Sequence, residues 1–373
     1  MLELRGKYNT ATVFTNNIDS ATIGQITAFL NQEIISGSQV HIMPDCHAGN
    51  GCVIGTTMKL VNAVVPYWVG SDIGCGMSVV MLEEKRINLP AFDSIVNELL
   101  SKEHGQDKSL KTTIDIKQLR CYGKTNIRID KAYQSIGTLG GGNHFCELDK
   151  DENGNVYLII HSGSRNLGRE VCEYYQQLAY KRLCDTQNRK PSIPYEMAYL
   201  SGSDMVDYLH DMKMVQKYAS DNRTEIARMI LKKAKLTPTC RFETVHNYID
   251  SEGNILRKGA VSAKKDELLL IPINMRDGSL LCVGKGNPDW NYSAPHGAGR
   301  LMSRSEAKQS FSLTEYKNTM KEAGVFTSSV GRHTLDECPM AYKPIDEIMA
   351  NIENTVEVKQ ILRPIYNFKN GAE

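Results

Sequence analysis

The residues able to carry chemistry in this 373-residue chain run from position 45 to position 369, and no Pro/Ser linker, low-complexity stretch or internal repeat divides them. That scatter constrains the fold more than any single motif does. It calls for one interdigitated domain over 1–373, in which many short elements return to a common centre. Three β-prone runs, Val53–Thr57, Asn62–Val65 and Met77–Met81, alternate with glycine-rich turns, and Val156–Ile160 leads straight into a polar loop, His161 to Arg165. Strand signals return at Leu268–Pro272 and Leu280–Val283. From about Glu170 to Leu236 the period changes. Leu209, Met212, Val215 and Ala219, then Ile226, Met229 and Ile230, recur at spacings of three and four, which is the core-facing stripe of a helix. Leu313 to Ala323 is helical as well. The expected class is therefore α+β, with mixed sheets and a helical insertion at about 170–236.

Hydrophobic residues make up 41% of the chain and charged residues 23%, the balance of a globular protein rather than a disordered or fibrous one. No run approaches the roughly 20 apolar residues of a membrane span, and Met1 to Arg5 has no apolar signal-peptide core, so no membrane partner and a cytoplasmic location are expected. The ten cysteines are scattered, without a Cys-x-x-Cys pair, as in a chain of mostly reduced, buried thiols. A net charge of +1 gives no global field for nucleic acid, so any RNA or DNA contact must come from a local basic patch.

Four polar loops stand out. Gly70 to Gly76 places Asp72 and Cys75 three apart on a glycine-rich segment that can turn both toward one point; a surface Asp in a turn beside a buried Cys would read the same way in isolation. Gly140-Gly141-Gly142 follows a β-prone stretch and presents Asn143, His144 and Glu147, a trio able to bind metal, phosphate or base, or to sit in a plain hairpin. His161 opens a loop that Arg165 closes with a guanidinium suited to phosphate oxygens, and His246 stands in Thr244 to Tyr248. Asp72, Cys75, His144, His161 and His246 form an inventory large enough for two metal ions, which suits phosphoryl chemistry. Ligand softness alone would favour zinc. The run Ser293 to Arg304 sets His296 among glycines and two arginines, open to approach by a phosphate. No phosphate-binding Gly-x-x-x-x-Gly-Lys loop, Rossmann fingerprint or Lys-x-Asp-Gly motif is present. His296 is thus a better candidate nucleophile than any lysine, since a neutral imidazole with a reference pKa of about 6.5 attacks phosphorus without prior deprotonation.

Together these segments resemble the RtcB-type RNA ligases, which join RNA ends through a guanylylated histidine. The resemblance runs in order through Met43 to His47, Gly70 to Gly76, Gly142 to Glu147, His161 to Gly168, His246 to Tyr248, Arg257 to Ala260, His296 to Arg304 and Ala341 to Lys343. It implies a single domain around a central dinuclear site in which Asp72, Cys75, His144, His161 and His246 hold two Mn²⁺, with the Cys75 thiolate shared. It implies that His296 takes GMP from GTP while Asp45 accepts a hydrogen bond from its other ring nitrogen. By the same carry-over Asn143, Glu147, Asn247, Asn274, Ser279, Gly297, Ala298, Gly299, Tyr342 and Lys369 contact the nucleotide, and Arg165, Arg169, Arg300 and Arg304 contact RNA phosphates.

Where many members read Pro-Gly-Ser-Met-Gly this chain has Pro272-Ile273-Asn274-Met275-Arg276, which bears on guanine selectivity. The chain otherwise resembles the shorter bacterial members. The implied activity is joining of a 3′-phosphate or 2′,3′-cyclic phosphate end to a 5′-hydroxyl end, in RNA repair or tRNA splicing, with an archease-like activator or a co-encoded repair protein as further partner. Two rivals share the residues: a dinuclear phosphodiesterase or cyclic phosphatase that needs no GTP, and a non-catalytic RNA-end-binding protein.

Overall fold

The computed structural model describes residues 1–100, 112–125, 127–187 and 192–370, which leaves the tail Gly371 to Glu373 and residues 188–191 of the helical stretch outside the described residues. Two large sheets carry the chain. The first has six strands in the order Leu2–Arg5, Thr10–Val13, Val40–His47, Ile54–Lys59, Ile255–Lys258 and Asn247–Asp250. The second has seven, ordered Pro238–Val245, Gly76–Leu82, Val156–Ser162, Phe145–Lys150, Val356–Phe368, Gly278–Gly284 and Leu268–Asn274. Within both sheets only the Thr10–Val13 and Val40–His47 pair is parallel. Buried runs such as Leu158, Ile159 and Ile160 explain the second sheet, because a strand covered on both faces reads as a continuous apolar stretch.

Chain order brings the polar loops to one place. Gly76 pairs with both Val245 and Ser162, and His161 pairs with Met77 and Phe145, so four neighbouring strands end at one level of the second sheet. His246 is the single residue between Pro238–Val245, an edge strand of the second sheet, and Asn247–Asp250, an edge strand of the first. The site therefore lies where the two sheets meet.

The helical stretch forms two long helices, Arg165–Gln187 and Gly202–Ala234, the first starting about five residues earlier than its apolar spacing suggests. Met212, Val215 and Tyr218 of the second helix pack into the core of the first sheet, while Ile226 and Ile230 pack under Val80, Leu82 and Leu158 of the second. One helix thus ties both cores together. Each fully buried Val, Ile or Met of this stripe contributes about 1.5–3 kcal/mol. The segment before Gly140-Gly141-Gly142 differs from expectation, being the helix Ile129–Gln134 rather than a strand. Ala132 and Ile136, four apart, are both buried in the first core, and that helical spacing outweighs the β-prone residue types.

Candidate active site

Five side chains from four loops converge at the junction. Cys75 Sγ lies 3.4 Å from His144 Nε2 and 3.3 Å from His161 Nε2, and His161 Nε2 lies 3.4 Å from His246 Nε2. Asp72 Oδ2 is 3.0 Å from His144 Nε2. Ser164 N donates to Asp72 Oδ1 at 3.0 Å, and a Cβ on Gly163 would run into the same carboxylate, so Gly is required there. All five residues except Asp72, whose side chain is one-third exposed, are buried.

The imidazole tautomers show what this cluster accommodates. His144 Nδ1–H donates to the Leu139 carbonyl at 2.9 Å and His161 Nδ1–H to the Asn143 carbonyl at 3.2 Å, which leaves each Nε2 as a bare lone pair. Those lone pairs face a carboxylate oxygen, a sulfur and another imidazole nitrogen. As a thiol Cys75 brings one S–H to these contacts, and as a thiolate it would leave a set of converging lone pairs that suits a cation. Burial drives His161 and His246 well below the ordinary imidazole range, which disfavours a proton in that role. Burial, reinforced by Asp72, pushes the Cys75 thiol well up, a direction that a nearby dication reverses. Burial pushes Asp72 up, but the bond and charge of His144 together with hydrogen bonds from Cys75 and Ser164 prevail and hold it well below the carboxylate range. Carbonyl-braced histidines, a thiol and a carboxylate fit a divalent metal, with Cys75, His144 and His161 the tightest group.

His296 follows the short strand Ser293–Pro295 and reaches the cluster from the opposite side, its ring centroid 4.8 Å from that of His246. Asp45, fully buried near the end of the strand Val40–His47, accepts from His296 Nδ1 at 2.7 Å and from the backbone N–H groups of His296 and Gly297 at 3.2 Å each. Nδ1 is thereby the protonated nitrogen, and Nε2 is left free to act. Gly299 has φ +76°, and a Cβ there would strike the Asp45 carbonyl. Lys343 Nζ donates to the Pro44 carbonyl at 2.8 Å, beside Asp45 on the same strand.

A cavity of about 240 Å³ opens in front of His296. Its walls bring together Asp72, Cys75, His161 and His246 with Asn143, Glu147, Asn247, Asn274, Gly297, Ala298, Gly299, Arg300, Arg304, Tyr342 and Lys369. Lys369 is docked rather than trailing, since its Nζ donates to Glu337 at 3.1 Å and lies 5.3 Å over the Phe145 ring. Ser279 is placed elsewhere: its hydroxyl is fully buried in Gly278–Gly284, outside the cavity wall, with no partner among the described residues. Asn274 serves its own turn, accepting from Arg276 N and Asp277 N at 2.9 Å, and Arg276 is turned onto Asp277 at 2.8 Å. Asn247 also works structurally, accepting from Gly259 N at 3.0 Å. Arg165 and Arg169 line a second cavity of about 230 Å³ with Lys131, on the Asp72 and His144 side.

Three side chains escaped the sequence reading. Glu337 is a buried hub that accepts from Tyr342 at 2.6 Å, from Lys369 and from both Arg300 and Arg304. Burial pushes its carboxyl up, but Lys369, Arg304 and Tyr342 prevail and hold it low. No local motif marks it. Asn222 and Arg223, both buried, interrupt the helical stripe between Ala219 and Ile226, so polar residues at core-facing spacing were the available signal.

Comparison with known proteins identifies the family. The family described as tRNA-splicing ligase RtcB matches residues 25–119 and 98–370. The chain is 32% identical to an RNA-splicing ligase RtcB1 of Escherichia coli over 87% of this chain and 88% of that protein. It is 31% identical to an RNA-splicing ligase RtcB of another Escherichia coli strain, over the same shares. A tRNA-splicing ligase RtcB of Aeropyrum pernix is 28% identical over 87% of this chain and 86% of its own length. Among the described residues no helix is long and apolar enough to cross a membrane. With two-sheet architecture, converging histidines and matches over most of its length, the chain belongs to the RtcB family of RNA-splicing ligases.

Proposed function

We propose that the protein is a GTP- and Mn²⁺-dependent RNA ligase that joins a 3′-phosphate or 2′,3′-cyclic phosphate end to a 5′-hydroxyl end through a His296–GMP intermediate. The observation that carries this reading is the pairing of His296 Nδ1 with buried Asp45 at 2.7 Å, which turns Nε2, as a lone pair, toward the cavity shared with Cys75 and His246. Asp72, Cys75, His144, His161 and His246 would hold the metal. Bound there, Mn²⁺ supplies neutralisation of the charge that develops on phosphoryl oxygens.

His296 Nε2 attacks the α-phosphorus of GTP, forming a P–N bond as pyrophosphate leaves, and Asp45 stabilises the ring as it gains charge. The RNA 3′-phosphate, produced from a cyclic end by hydrolysis, then displaces His296 and takes the GMP. The 5′-hydroxyl of the second strand attacks that activated phosphate and expels GMP, which completes the phosphodiester. Arg300 and Arg304 at the cavity rim, and Arg165 and Arg169 in the adjoining cavity, suit RNA phosphates. Glu147, Tyr342 and Lys369 suit the nucleotide.

Incubation with GTP labelled at the α-phosphate and Mn²⁺, followed by a denaturing gel, tests the reading. Label should stay on the wild-type chain and be absent from His296→Ala, while His296→Ala still binds Mn²⁺. An unlabelled wild-type chain that nevertheless opens a cyclic phosphate would replace this reading with a metal phosphodiesterase.

A further inference from the structure

The three loops that carry Asp72, Cys75, His144 and His161 share one support, and it lies on the long helix. Arg223 is fully buried, and its Nη1 donates to the Gly74 carbonyl at 2.8 Å and the Ser162 carbonyl at 2.9 Å. Gly74 precedes Cys75, and Ser162 follows His161. The ladder between Gly76–Leu82 and Val156–Ser162 ends at the Gly76 and Ser162 pair, so the guanidinium bridges the two chains just where main-chain pairing stops. Its Nη2 is anchored on Glu243 at 3.2 Å.

Asn222 does the same for the remaining loop. Its Oδ1 accepts from Gly137 N at 2.8 Å, and its Nδ2 faces the Thr138 carbonyl at 3.0 Å, the Ser162 hydroxyl at 3.0 Å and the Gly163 carbonyl at 3.2 Å. Thr138 adjoins Leu139, whose carbonyl fixes the His144 tautomer, and Gly163 packs on Asp72. A planar amide and a planar guanidinium, side by side on one rigid helix, thus reach the backbone next to Cys75 and His161 and, one step removed, the segments at Leu139 and Gly163 that brace His144 and Asp72. Solvation does not explain them, since both are buried, and a polar pair in a core stripe is costly unless engaged; of their side-chain polar atoms Arg223 Nε alone has no partner among the described residues.

We propose that Asn222 and Arg223 are positioning residues that hold the loops of Asp72, Cys75, His144 and His161 in metal-binding register before metal arrives. This rests on the metal reading of the site. Their action runs through the loop backbone, and neither touches a ligand atom of the cluster.

The test uses the full chain, stripped of metal and titrated with Co²⁺ in the absence of air, with thiolate-to-cobalt absorption and the visible d–d bands as readouts. Arg223→Lys keeps the charge but cannot span both carbonyls, and Asn222→Ser shortens the reach. Each should weaken Co²⁺ by about ten- to a hundredfold, the usual effect of an outer-shell change, and alter the d–d bands. A variant that melts like the parent and gives the parent's spectrum and affinity overturns the proposal. Hydrogen exchange on the metal-free wild-type chain decides the matter if neither variant folds. The Gly137, Cys75 and Ser164 amides should be protected without metal, and rapid exchange there overturns the proposal. That arm needs no metal, so its result is separate from a parent that shows no thiolate–cobalt band, which would contradict the metal reading instead.

Discussion

The two walls that meet at His296 are built on opposite principles. On one side His144, His161, Cys75 and Asp72 turn acceptors toward one another, braced from behind by main-chain groups. On the other, the charged groups already satisfy each other: Glu337 binds Lys369, Arg304 and Tyr342, and Arg304 also reaches Asp336 at 2.7 Å. The first wall is preorganised from behind, so on the proposed metal reading a cation would add to it without displacing an existing ion pair. The second is complete, so an anionic nucleotide or RNA must exchange with its internal ion pairs, and part of the binding energy offsets the pairs it displaces.

That contrast can be broken experimentally. Asp45→Asn keeps the shape of the His296 side but loses the charge and the fixed tautomer, so covalent nucleotide transfer should slow by about 10³–10⁴-fold in single-turnover labelling, with Mn²⁺ affinity unchanged. A joint loss of metal binding would mean that the walls are not independent. Glu337→Gln leaves the buried Lys369 ammonium without its carboxylate, and should lower stability by about 3–5 kcal/mol in denaturant melts. Excess triphosphate should recover part of that loss; no recovery would place the anion elsewhere.

A smaller effect concerns the floor of the cavity. Burial pushes Glu147 from 4.5 up to about 7, and Asp149 beside it is raised too, by burial and by Glu147 itself. The folded chain therefore keeps a proton that the unfolded chain releases at lower pH. Stability from this pair is fully present below the ordinary carboxylate range and is lost as pH rises through about 4.5 to 7. Melting temperatures of Glu147→Gln should fall less across that window than those of the wild type, and parallel profiles would show that the pair keeps no extra proton.

Legibility in the sequence followed the locality of the signal. The loops of Asp72 and Cys75, of His161 and of His144 were readable because each holds its polar residues within a few positions of a glycine turn, and the stripe from Leu209 to Ile230 was readable because helical spacing repeats. The approach of Asp45 to His296 spans 251 positions and follows from sheet topology, so it came only through family resemblance. The buried position of Ser279, off the cavity wall, follows from its strand pairing, and a one-residue choice of strand face is invisible without a partner strand. Asn222 and Arg223 were hidden in the apolar stripe they interrupt, and Glu337 ends a six-residue helical segment, Arg332–Glu337, too short for a periodicity to betray its burial.

The central claim is that His296 is the covalent attachment point. The most direct measurement is mass spectrometry of the chain after reaction with GTP and Mn²⁺, with peptide mapping and a comparison of acid and alkali treatment. A histidine phosphoramidate is labile to acid and stable to alkali. The account predicts one added GMP on the peptide containing His296, lost in acid and retained in alkali. GMP on a lysine, or a chain that gains no mass while still joining RNA ends, would contradict it.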